Sequence, residues 1–506
     1  MKRRRGSATK SGARLGTLAL CGLLAGCARP AARTDLVVGY PRGLSTTEPN
    51  RRVEEFSASI LGNIYEGLVE LDDNLALRPA LAESWYSPDD LTWVFRLREG
   101  VHFHDGSLLD ASRVVDCLEQ LRHDPSRDLS PALSSVSQIS AQDAHTVRVL
   151  TRFPVPSLPY HLGGLLIAAR TASGETMLGT GPFRVREHNA AGEVTLSAFA
   201  EYWGGPPALE TLKFRVLPNA DDRVRALRDG TVDLAIDVPA TTFATLAGEP
   251  ELRAIAARSL RVILLGLDTA PGQAASNPLH DPRVRRAIAL AIDRPRLVRD
   301  ALGGQAEVVN QVLAPEIFGY HTALPDTPHD PDAARRLLAE AGFGAGFDIA
   351  LDFPPERYRS ISNVASSIVE DLASVGIRAT RRPAATEAFI ARLAARNARM
   401  FLLGWTSGGD APLTYDYLLR TRADGHGSAN YTGYSDQDFD RLVASAEIES
   451  STPKRGERVA ELAAQVLRDL PVVPLYRQYD LYAVRAGVHF SPRPDRLIRG
   501  RDLGWQ

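Results

Sequence analysis

From Cys27 to Gln506 the chain runs 480 residues without one stretch of Gly, Ser or Pro long enough to serve as a free linker. A single hydrophobic core stops growing near ~250–300 residues, beyond which chains divide. At least two lobes are therefore expected, and the lack of a linker predicts that they are closely joined. No repeat of fixed period runs through the sequence. Helical and strand patterns alternate along most of it, which favours α/β lobes. Asp330-Pro331-Asp332 predicts a helix start, with Ala334, Leu337, Leu338 and Ala341 on one face and Gly342 as the stop. Asp281-Pro282 predicts a second, burying Val284, Ala287, Ile288 and Ala291 and leaving Arg283, Arg285 and Arg286 largely wet. Thr92–Leu97, Thr146–Val149 and Val194–Leu196 read as strands.

The first 26 residues follow a different logic. Arg3-Arg4-Arg5 with Lys2, Lys10 and Arg14 form a basic head, and Leu15 to Ala25 an apolar stretch. That stretch is about half the ~20 residues a helix needs to cross ~30 Å of hydrocarbon, so it predicts a cleaved export signal, not a span. Leu24-Ala25-Gly26-Cys27 resembles the bacterial lipobox. The resemblance implies cleavage before Cys27, lipidation of its thiol, and an exported protein tethered to a membrane outside the cytoplasm.

Residues 1–26 hold six basic side chains and no acid, leaving 53 basic against 61 acidic residues, formally −8. That balance does not suggest nucleic acid. With Cys21 and Cys27 in the signal, Cys117 is alone in the body. No disulfide framework is possible there, and its helical company of Val114, Val115 and Leu118 reads as a buried small hydrophobe.

Signals for enzymes are weak. His102, His104 and Asp105 offer metal-ligand chemistry, but no third ligand is marked by spacing, and Asp105-Gly106 supplies turn chemistry. Gly342–Gly346 follows a helix, the wrong context for cradling a pyrophosphate. Ser451-Thr452-Pro453-Lys454 has the spacing of a Ser/Lys pair, but Pro453 argues for a loop. No cofactor and no metal site is expected.

Several stretches, in order, resemble the peptide/nickel class of ABC-transporter solute-binding proteins, bacterial solute-binding family 5. They are Leu77–Trp85, Thr92–Gly106, Gly179–Phe183, Tyr202–Gly205, Leu227–Leu234, Asp281–Ile288 and Ala291–Arg294. The likeness runs from about residue 36 to about 485. It implies an α/β fold of two-lobed periplasmic-binding-protein type II architecture, the large cluster C form, with an extra subdomain on the N-terminal lobe. On that reading residues 27–52, 178–262 and 478–506 form lobe I, 53–177 the extra subdomain and 263–477 lobe II. Arg261–Leu267 is the outward crossover and the stretch around Pro474–Gln478 the return, so that two crossovers make a hinge. Closure withdraws solute and pocket from water, strengthening polar contacts while presenting a new surface to the permease.

The resemblance also carries candidate site residues. Met400 to Trp405 looks like the strand whose Gly-Trp end opens onto the cleft, followed by Thr406, Ser407, Gly408, Gly409 and Asp410. An indole wall and donor-rich backbone suit a peptide main chain; the alternative places Trp405 in the lobe core. Many peptide binders of the class carry an Asp three residues after this Trp, pairing with the ligand's amine, and here that position is Gly408. Asp410 either reaches the same charge or caps the segment of Pro412. Tyr40, at the end of the first strand, is a candidate for cleft or core, and Tyr431 a weaker one.

The implied function is a binding protein that captures a solute, oligopeptide-like in the first instance, and delivers it as a monomer to the permease subunits of an ABC importer. A sugar-like solute, a metal chelate, a sensor role and a cell-envelope hydrolase remain as alternatives.

Overall fold

The computed structural model describes residues 33–50, 55–124, 133–170, 177–246, 248–270, 277–423 and 425–506. The export signal, the Leu24–Cys27 motif and the lipidation expected at Cys27 lie outside the described residues. The folded body is Thr34–Gln506. Among the described residues no helix is long and apolar enough to cross a membrane.

An eleven-stranded sheet runs through the body. Its path is Phe183–His188, Val194–Ala198, Thr211–Val216, Asp35–Tyr40, Leu234–Ala235, Val472–Arg485, Leu252–Leu267, Met400–Thr406, Phe347–Phe353 and Ile377–Pro383, with Ala306–Val308 paired on Val472–Arg485. Asp35–Tyr40 pairs in parallel with Thr211–Val216 and Leu234–Ala235. At the far end Phe347–Phe353 pairs in parallel with both its neighbours.

The far half of the sheet is covered on both faces, and the sequence shows why. Met400-Phe401-Leu402-Leu403 is a continuous apolar run, the pattern of a strand buried on both sides. Met400 and Leu402 enter one core with Ile263, Leu265 and Leu267; Phe401 and Leu403 enter the other with Val262 and Leu264. Helices Pro282–Ala291, Arg294–Leu302, Pro331–Glu340 and Ile361–Ser374 close the first face. Thr386–Ala394, Ala411–Leu419, Gln437–Ile448 and Thr452–Asp469 close the second. Each fully buried Leu or Ile stabilises by about 1.5–3 kcal/mol.

The near half has its own cores. One gathers Leu36, Val38, Tyr40, Phe183, Leu196, Phe214 and Tyr482; a smaller one gathers Val224, Leu227, Val238, Leu481 and Ala483. A third body is a four-stranded antiparallel sheet, Ala82–Asp89, Thr92–Leu97, Thr146–Thr151 and Val136–Asp143. Helix Ala111–His123 packs Val114, Cys117 and Leu118 into its core. Cys117 is buried there, as its neighbours predict, with Sγ 3.5 Å from the Ala168 nitrogen.

Two long strands connect the halves. Leu252–Leu267 begins with Leu252 and Ala254 against the small near core and ends with Leu265 and Leu267 in the far one. Val472–Arg485 runs the other way, from Val473 and Leu475 to Leu481 and Val484. Their antiparallel ladder breaks at the crossing: Arg258 pairs Tyr479 and Val262 pairs Arg477, so three residues of one strand oppose Gln478 alone. A bulge bends a strand and locally disrupts its ladder, and this one lies on the covalent connection between the lobes.

The two helix starts form as predicted: Asp330 Oδ1 accepts from the Ala333 N–H and Asp281 Oδ1 from the Arg283 N–H. Two local expectations are corrected. Arg285 is buried, because its guanidinium donates to the carbonyls of Asp469, Leu279 and His280. Ser451–Lys454 is not a loop: Pro453 lies in the first turn of helix Thr452–Asp469, where a missing N–H costs no intrahelical bond. Lys454 there is exposed.

Candidate functional site

The strand Met400–Thr406 points its C-terminal end at the lobe junction, directly beside the bulge: Trp405 pairs Val262 and Thr406 pairs Arg261. Trp405 is half-buried, its ring 6.0 Å from that of Tyr417. Its indole Nε1 is buried with no hydrogen-bond partner among the described residues, and so is Ser407 Oγ. Thr406 is exposed. Buried polar groups are normally satisfied, and at this strand end two donors are not.

The opposite face of this strand end is aromatic and cationic. Gly404 lets the ring of Tyr358 lie against the backbone, with Tyr358 Oη 3.4 Å from the Gly404 carbonyl. Two guanidiniums flank that ring, Arg261 at 6.0 Å and Arg357 at 5.8 Å from its centroid. Arg357 Nε donates to Tyr358 Oη at 3.1 Å. Across the junction Asp237 feels the charges of Arg496, Arg223 and Arg261. Arg496 binds Asp237 at 2.5 Å and Asp480 at 3.1 Å, tying the near lobe to the return strand. Arg359 donates to the carbonyls of Gln305 and Tyr479, and burial lowers its pKa.

Asp410 is buried and its two oxygens are already engaged. Oδ2 lies 2.9 Å from His161 Nε2, and Arg455 Nη2 donates to Oδ1 at 2.5 Å. Burial works to raise this carboxyl, but the hydrogen bond with His161 and the charge of Arg455 outweigh it and hold Asp410 below the usual carboxylate range. Asp410 occupies the N-cap position of helix Ala411–Leu419 without a capping hydrogen bond from its side chain. Behind it, burial and the charge of Asp416 push Glu447 up to about 8.

Ser157, His161 and Asp410 have the residue types of a hydrolytic triad but not its geometry. Ser157 Oγ, at 3.3 Å, and Asp410 both meet the same ring nitrogen, Nε2, while Nδ1 is buried with no partner among the described residues. A triad needs hydroxyl and carboxylate on opposite nitrogens.

Of the residues singled out from sequence, Trp405, Thr406, Ser407 and Asp410 share one strand end and loop. Tyr431 stands beside the same core, its ring 6.5 Å from Phe401. Tyr40 lies elsewhere, buried in the near-lobe core with its hydroxyl 2.9 Å from Ser59 Oγ. The cavity it lines with Phe56, Ser59, Ile236, Tyr482 and Arg496 is about 10 Å³, room for a water and nothing larger. Sequence reasoning missed Tyr358, Arg357, His161 and Arg455, since no local pattern marks a partner 249 residues away, the separation of His161 from Asp410. The set at residues 102–105 is structural: His104 Nε2 meets the Gly181 carbonyl at 3.0 Å, and Asp105 accepts from Ser107 in the turn.

A sequence profile of the bacterial extracellular solute-binding proteins, family 5 Middle, matches residues 76–426. The glutathione-binding protein GsiB of Shigella boydii serotype 4 (strain Sb227) is 28% identical over 473 residues, 90% of each chain. The periplasmic binding protein DppA of Helicobacter pylori, solved with the peptide STSA, superposes with a TM-score of 0.79 at 24% identity, over 94% of this chain and 98% of that one. The oligopeptide-binding protein AppA of Bacillus subtilis, solved with a nonapeptide, gives a TM-score of 0.78 at 20% identity, over 94% and 99%. These likenesses identify the mixed α/β body as the two-lobed periplasmic-binding-protein fold of the cluster C form.

Proposed function

The chain belongs to family 5 of the bacterial extracellular solute-binding proteins and is a substrate-binding protein for an ABC importer; from that premise we propose that it closes around a peptide-like solute carrying at least one carboxylate and releases it unchanged to the permease. The observation that carries this reading is the position of Trp405 and Ser407, two buried donors without partners among the described residues, at the level where the strands between the lobes are bulged. Hinge motion at that level opens and shuts the surface they belong to. A peptide backbone supplies carbonyl acceptors for such donors whatever its side chains are.

The carboxylate follows from charge. Arg261 and Arg357, 6.0 and 5.8 Å from the Tyr358 ring centroid, give two planar, weakly hydrated cations suited to a carboxylate. The glutathione of GsiB and the peptides of DppA and AppA have that chemistry. In this reading the protein performs no reaction on its solute, in keeping with the geometry at His161.

We further propose that the mature protein is an exported monomer, lipidated at Cys27 and tethered outside the cytoplasm. Cys27→Ser is expected to yield folded protein in the soluble fraction; a variant still membrane-bound and uncleaved would refute the lipid anchor.

Titration calorimetry on the purified chain with glutathione, tri- and tetrapeptides and their C-terminally amidated forms tests the solute class. Binding at one to one, weaker for the amidated forms, is expected. A solute recovered cleaved, or equal affinity for acid and amide, would overturn the reading.

A further inference from the structure

The Asp410 carboxylate is the meeting point of two separately cored bodies. His161 is carried by helix Leu158–Gly163, whose Leu158 and Leu162 are buried in the core of the four-stranded subdomain. Asp410 opens helix Ala411–Leu419, and Arg455 stands on helix Thr452–Asp469; both helices are anchored in the far-lobe core through Ala411, Tyr415, Val459 and Leu462. The exposed fractions of the three side chains are 11%, 5% and 10%, so the contact is dry. Arg455 is fixed from behind by donating Nε to the Ala446 carbonyl.

Apolar contacts surround this ion contact. The ring of Tyr160 comes so near Gly409 that a Cβ there would stand 3.3 Å from it, with Leu71 at 3.9 Å. Leu75, on the turn between strands Val69–Leu71 and Leu77–Pro79, is 5% exposed because it packs in the far-lobe core. Arg493 holds that turn, binding Asp73 at 2.5 Å and the Leu71 carbonyl at 2.8 Å.

We infer that Asp410 is the latch that holds the subdomain against the far lobe, with His161 as its partner across the gap and Arg455 as its support, and that it does not bind the solute's amine. Both its oxygens face protein donors in this structure. Opening the hinge separates His161 from Asp410 while Arg455 stays with the carboxylate, so the open form retains a paired charge on Asp410. Leu75 adds an apolar catch on the same side.

The latch is read without a solute, so its test stands apart from the proposed solute class, although its place at the cleft rests on that reading. The full chain with Cys21→Ser and Cys27→Ser is labelled for energy transfer at exposed positions on the two sides, Tyr86→Cys and Ile448→Cys; native Cys117 is buried. His161→Gln and Asp410→Asn are each expected to raise the open-to-closed ratio about tenfold or more, the scale of losing a charge-assisted bond, and the double variant no further than the stronger single one. His161→Gln touches only the partner across the gap, and keeps the test valid if Asp410→Asn fails to fold. An unchanged transfer efficiency in His161→Gln overturns the latch. Glutathione and N-acetylated glutathione separate the second claim: Asp410→Asn should lower affinity for both alike, and a loss confined to the free amine would restore Asp410 as the amine's partner.

Discussion

The ring of Tyr358 lies so close to Gly404 that a Cβ on the glycine would stand 2.6 Å from Tyr358 Cε1 and 3.0 Å from Ile263 Cδ1. The glycine before Trp405 is therefore a requirement of packing: it admits the ring that the two guanidiniums flank. Gly404→Ala is expected to cost about 1–3 kcal/mol of stability by overpacking, and to weaken solute binding as Tyr358 carries Arg261 and Arg357 out of place. Gly408→Ala is the control, since nothing lies within 4 Å of its Cβ position. Urea denaturation of both variants checks the difference.

Trp405→Ala is expected to weaken solute binding by ~1–3 kcal/mol, the scale of a buried aromatic contact. Trp405→Phe keeps the apolar wall and removes the orphaned N–H, so it should lose the hydrogen-bonding share alone. Calorimetry on the two variants separates these shares; wild-type affinity in both would remove Trp405 from the site.

Arg261→Gln preserves length and polarity but removes charge. Affinity for a carboxylate-bearing peptide should fall roughly tenfold, in line with about 1.5–3 kcal/mol for a charged hydrogen bond, while affinity for the C-terminal amide hardly changes. A salt titration gives a second reading, because the dependence on ionic strength should flatten in the variant.

Glu447 supplies a pH test. Its carboxyl, pushed up to about 8 by burial and then by Asp416, keeps its proton in the folded chain at pH values where an unfolded chain, whose glutamate titrates at its ordinary 4.5, has lost it. The folded state then binds more protons, so this group's contribution to stability is fully present below about pH 4.5 and is lost as the pH rises to about 8. Glu447→Gln should flatten that slope and leave the variant the more stable of the two at about pH 8–9, measured as Tm against pH.

Legibility in the sequence depended on how local the cause was. Division into lobes followed from chain length, the helix starts at Asp281 and Asp330 from a side chain bonding an N–H two or three residues on, and the strand Met400–Thr406 from the Gly-Trp end it shares with the family it resembles. Burial of Arg285 was not legible, because its carbonyl partners include Asp469, 184 residues along the chain. Pro453 misled for another reason: proline in a first turn and proline in a loop look alike until the following residues are seen to pack.

The amino-acid order by itself determined the elements and the apolar run that buries both sides of the far sheet, because these depend on periodicity and short-range hydrogen bonds, and the order of its motifs carried the resemblance to the family. Only the tertiary structure decided which donors Asp410 meets. A carboxylate has the same chemistry facing a solute amine or facing His161, and which donor it meets is set by how two separate cores bring their helices together.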